Sequence, residues 1–110
     1  MLTREMRDKW ADALESGKFL QTRTRLITSQ EMADKDKPAG YCCIGVFGRV
    51  CLGLTDDELN EIDVTGGENS PYKYLRTLGV EPVIFWRFND RNRMTFQEIA
   101  VEVRKLPVEE

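Results

Sequence analysis

Histidine is missing from this chain altogether. Its absence excludes a Cys–His dyad, a serine triad of the usual kind, and zinc or iron centres that depend on imidazole ligands within the chain. Cysteine is scarce, with three residues, and no glycosylation sequon accompanies it. An odd thiol count without an export signal fits a reducing compartment. Long apolar runs are lacking too: the longest, residues 41–54, is interrupted by Arg49 and is too short to cross a bilayer. The N-terminus shows no charged start, apolar core and small-residue cleavage site. A cytoplasmic protein without membrane contact is therefore expected. No phosphate-binding loop or EF-hand spacing occurs, and no cofactor or metal site is expected.

What is present suits one compact domain: 110 residues, of which 32% are charged and 41% hydrophobic, a balance typical of soluble globular chains. A net charge of −3 gives no global attraction to nucleic acid or to anionic lipid, so neither is an expected partner. The charge is uneven. Residues 55–70 carry six acids (Asp56, Asp57, Glu58, Glu61, Asp63 and Glu68) and no base, whereas residues 71–105 carry seven bases against four acids.

Thr3 reads as an N-cap, Met6, Trp10, Ala13 and Leu14 recur at helical spacing, and Gly17 stands where a helix ends. Residues 18–27 alternate with period two. Leu20, Thr22, Thr24 and Leu26 are set on one face and Gln21, Arg23 and Arg25 on the other, which predicts a strand. Residues 28–40 read as an exposed connection. Residues 41–54 then predict a buried central helix, with Gly45 and Gly48 forming a smooth stripe for close approach. Thr55 can cap a short acidic helix through residue 62, Gly66 and Gly67 make a turn, and Ser70-Pro71 is an N-cap and N1 pair for a helix ending at Gly79. Residues 83–88, β-branched and aromatic, predict a second strand, and residues 89–93 a turn. Thr95 with Glu98 forms a capping box for a closing helix. The expected fold is a single α+β domain over residues 1–110, with about four or five helices packed on a small two- or three-stranded antiparallel sheet around a central apolar helix.

The string GYCCIGVFGRVC, residues 40–51, is where reactivity has to be sought. A cysteine at a helix start is a candidate nucleophile. Without histidine it lacks its usual base, and neighbouring cysteines on a helix diverge by about 100°. Cys43 shares a face with Phe47, Val50, Cys51 and Leu54, the pattern of core packing. No catalytic residue is assigned, and a cysteine-dependent enzyme stands as the third hypothesis. The binding candidates are Gln21, Arg23 and Arg25 on the first strand, with Arg87, Arg91 and Arg93 around the second. Paired strands would join these arginines into one cationic patch suited to phosphate or carboxylate, with Phe85 and Trp86 nearby.

Several short patterns occur in a distinctive order: Trp10, Ala13, Leu14 and Ser16-Gly17; Gln21 and Leu26; Cys42-Cys43 with Gly45-Val46; Asn89-Asp90; and Thr95 to Ala100 as T-F-x-E-I-A. In this order they resemble a family of small uncharacterised phage and prophage proteins with W-x-x-A-L-x-S-G, C-C-x-G-V, N-D and S/T-F-x-E-I-A. The family pattern has glycines where Thr22 and Thr24 stand, an acid near the place of Arg49, and a glycine where Arg91 or Asn92 occurs. The resemblance implies a phage setting and no established activity. The expected function is that of a phage-type accessory protein, non-catalytic, which binds and modulates or inhibits a host or defence protein. The alternative is a protein that sequesters an anionic, nucleotide-like small molecule.

Overall fold

A computed structural model describes residues 2–22, 26–28, 40–65 and 70–109. Six helices dominate it: α1 (Arg4–Glu15), α2 (Cys43–Cys51), α3 (Asp56–Thr65), α4 (Pro71–Thr77), α5 (Pro82–Asp90) and α6 (Phe96–Arg104). Three two-residue strands, β1 (Leu20–Gln21), β2 (Ile27–Thr28) and β3 (Gly40–Tyr41), form a small mixed sheet in the order β1-β3-β2. β1 runs parallel to β3 and β2 runs antiparallel to it. The expected α+β domain on an antiparallel sheet is therefore wrong. The molecule is a helical assembly with a minor mixed ribbon.

The largest departure is at residues 83–88, expected as a strand and found inside α5. Glu81 is the N-cap, its side chain accepting from Val83 N, and Pro82 occupies the first turn, where its fixed φ favours a helix. Pro82, Phe85 and Asn89 are the buried residues of this helix, at a spacing that only a helix brings onto one side. β-Branched Val83 and Ile84 fall on the outside, where local propensity decides little against the packing of that buried side. The first strand is also shorter than its alternation implied. Leu20 is 52% exposed whereas Gln21 is half-buried, the reverse of the expected facing. Of the expected connection over residues 28–40, Thr28 and Gly40 instead pair across β2 and β3, and residues 29–39 lie outside the described residues, as does the turn at Gly66 and Gly67.

One apolar cluster organises the helices. α2 runs through it with residues 43–48 all buried, and Trp10 of α1 packs edge-on against Phe47 at 5.1 Å and beside Phe85 at 5.2 Å. Trp10 Nε1 also donates to the Cys43 carbonyl at 2.9 Å, so the indole's one donor is satisfied inside the core. Gly45 permits the tightest contact: a Cβ there would overlap the Leu26 carbonyl oxygen. α1 lies against α6, and Arg104 ties them at the surface to Asp12 (2.7 Å) and Glu15 (3.1 Å). Thr3 bridges Glu109 beside this pair.

Candidate functional site: the sealed thiols and the outer face of α5

β3 delivers the chain into α2 through Cys42, which is the N-cap with extended backbone angles, its Sγ accepting from Gly45 N at 3.3 Å. Sulfur here replaces the oxygen that usually fills this role. Cys43 Sγ instead donates to the Phe85 carbonyl and Cys51 Sγ to the Met6 carbonyl, each at 3.4 Å. The three sulfurs thus diverge towards different elements. Cys42 and Cys43 are buried and Cys51 is half-buried. Burial pushes the Cys42 thiol up to about 12, outweighing the opposing backbone N–H groups of Gly45 and Ile44. Burial likewise raises Cys43 well above the ordinary thiol value, and raises Cys51 to about 12 despite Lys9 nearby. The helix N-terminus favours a thiolate, and desolvation wins. Among the described residues no group of three or more cysteine or carboxylate side chains is gathered for a metal ion.

The acids of α3 are partly committed to structure. Asp56 accepts from Tyr41 Oη at 2.6 Å and pairs with Arg49 Nε at 3.2 Å. Asp63 accepts from the backbone of both Leu26 and Ile27, fastening β2 to the helix. Thr55 and Glu58 exchange capping bonds at 3.1 Å each.

Behind the thiols lies a buried polar junction that individual residues did not reveal in the sequence. Asn89, fully buried on α5, accepts at Oδ1 from Gln21 Nε2 (2.9 Å) and Cys43 N (3.3 Å). Its Nδ2 donates to the Thr22 carbonyl and to Asp90 Oδ1, both at 2.8 Å. Gln21 Nε2 also donates to the Met94 carbonyl at 2.7 Å. The second Asp90 oxygen, Oδ2, is buried and has no hydrogen-bond donor among the described residues. Short-range pattern gave no sign of this junction, since its members are 46 to 73 residues apart in four of the bonds.

The paired strand that was expected to join the six binding residues is replaced by α5. Gln21 is turned inward as a brace, and Arg23 and Arg25 lie outside the described residues. Arg87, Arg91 and Arg93 are all exposed, but on a helix and the loop after it rather than on a paired strand. Val83, Ile84, Arg87 and Arg91 share one outer side of α5. The half-buried Trp86 flanks them, with the Arg91 guanidinium 5.7 Å from its ring centre. Arg93 has φ +51°, the left-handed region that L-residues seldom occupy. The exposed aliphatic pair was the feature missed by sequence reasoning, because a strand assignment put Val83 and Ile84 on opposite sides.

No family model matches the chain, and neither a curated protein nor a solved structure matches it.

Proposed function

We propose that this chain is a non-catalytic binding protein of phage type that docks on a host or defence protein in the cytoplasm and modulates it, with the outer side of α5 as the contact. The observation that carries this reading is the exposed stripe itself. Ile84 is 49% exposed and Val83 36% exposed beside Arg87 and Arg91, a mixture of aliphatic anchors and arginine next to a tryptophan. Interfaces draw their strongest contacts from tryptophan and arginine surrounded by apolar area, and a large aliphatic side chain left in water gains free energy when covered. The burial of Cys42 and Cys43 supports the same reading against a cysteine-dependent enzyme. Arg91, Arg87 and Arg93 also suit an anionic small molecule, but the outside of a helix is convex and surrounds a small ligand poorly.

The test is affinity capture from a host lysate followed by reconstitution with the purified, identified partner. Wild-type protein and a Lys73→Glu control on α4 retain the partner, and Ile84→Glu loses it. Equal retention by Ile84→Glu places the contact elsewhere. A saturable rise in melting temperature with nucleotides, without any protein partner, would transfer the function to the sequestering alternative.

A further inference from the structure

Four other arginines of the described fold pair with internal carboxylates: Arg7 with Asp8, Arg49 with Asp56, Arg76 with Glu81, and Arg104 with Asp12 and Glu15. Arg87, Arg91 and Arg93 form no ion pair among the described residues, although the chain carries more acids than bases. The acid closest in sequence does not neutralise them. Asp90 turns its carboxylate inward, with Oδ1 accepting from Asn89 and Oδ2 buried. The outer side of α5 is therefore positive in a molecule whose net charge is −3.

Two of these arginines are also held in position. Arg91 sits against the Trp86 ring, which restricts the guanidinium plane while leaving N–H edges for a carboxylate. Arg93 occupies a left-handed backbone position that glycine would take without steric cost. The loop that imposes it is fixed by Met94 N donating to the Phe88 carbonyl at 2.9 Å and by Gln21 donating to the Met94 carbonyl at 2.7 Å. This backbone position favours glycine, yet an exposed arginine occupies it, which is a reason to test its side chain for a contact.

Resting on the reading that α5 is the contact, we infer that its occupant is an acidic amphipathic helix of a partner protein, with carboxylates on Arg87, Arg91 and Arg93 and an apolar residue on Val83 and Ile84. Charge complementarity selects the acid, and the aliphatic pair selects a protein over a nucleic acid. Single strands are bound by stacking bases on open aromatic rings, whereas the exposed apolar residues here are aliphatic and Trp86 is already engaged by Arg91.

The experiment is fluorescence anisotropy with three labelled probes: a synthetic helical peptide with a glutamate-rich polar side and a leucine side, the same peptide with glutamine for glutamate, and an oligothymidylate. The glutamate peptide is expected to bind at least ~10-fold tighter than the glutamine peptide, with the difference shrinking in high salt. The double variant Arg87→Glu/Arg91→Glu loses that preference. Arg93→Gly weakens the glutamate peptide while its melting temperature stays level or rises, a combination that mere loss of folding does not produce. Equal affinity for both peptides, no binding of either, or preferential binding of the oligothymidylate overturns the inference. The host-partner experiment separates the two levels: capture lost in Ile84→Glu but kept in the double reversal leaves the α5 contact standing and removes the acidic helix. Capture kept in both removes the contact as well.

Discussion

Cys42 shows how two effects on one atom are ranked. Its place at the start of α2 offers backbone N–H groups that favour a thiolate, yet at 3% exposure the cost of charging the sulfur dominates and the thiol moves up to about 12. A group whose folded value is raised stabilises the fold fully below its unfolded value, near 9, and that contribution disappears as pH climbs towards the folded value. Above about pH 9 this one residue should cost about 1.4 kcal/mol of stability per pH unit. Cys42→Ser keeps a good N-cap and removes the titration. Its urea midpoint should therefore fall less than that of the wild type between about pH 8 and pH 10. An identical alkaline loss in both proteins would assign the effect to Cys43, Cys51 or Tyr41, which burial also raises.

At the level of elements, caps were easier to read than strands. Thr3, Ser70 with Pro71, and Thr95 with Glu98 act where their residue types imply, because a cap is a local bond between neighbours. Glu81-Pro82 carries a similar message to Ser70-Pro71, but the β-branched pair behind it suggested a strand, and the buried side of α5 overrode that propensity. Sheet pairing depends on distant partners, so neither the parallel β1–β3 contact nor the shortness of the strands was legible. The close-approach reading of the glycine pair separates into two cases. At Gly45 a Cβ meets the rigid backbone of Leu26, whereas at Gly48 it comes within 3.0 Å of the side-chain ends of Leu59 and Pro71. Gly45→Ala should therefore destabilise by ~2 kcal/mol or more despite the better helix propensity of alanine. Gly48→Ala should cost less, because side chains can shift. Chemical denaturation of both variants decides this, and a Gly45→Ala protein as stable as wild type would contradict the packing of α2 on the Leu26 backbone.

For the whole molecule, cohesion runs through Asn89 as much as through the apolar cluster. Its amide joins the chain at residues 21–22, the start of α2 and the end of α5, and Gln21 extends the junction to Met94. Asn89→Ala removes the acceptor of the buried Cys43 backbone N–H and takes one partner each from the Thr22 carbonyl and from the Gln21 amide, which keeps Met94, a loss expected to reach ~2–3 kcal/mol. That is a large part of the roughly 5–15 kcal/mol available to a small domain. The urea midpoint should drop sharply with little change in slope, and a shift under about 1 kcal/mol would mean that water replaces the amide. The candidate contact was legible only in part: three of its arginines could be named, but their grouping with Val83 and Ile84 depends on α5 being a helix.

The pairing of α1 with α6 sets an order of events during translation. Trp10 precedes its neighbours Phe47 and Phe85 by many residues, and α6, which covers the remaining flank of α1, follows every other described helix. A nascent chain that has reached only residue 95 therefore still lacks the α6 cover on that flank of α1, and its exposed apolar surface there is open to association with other chains.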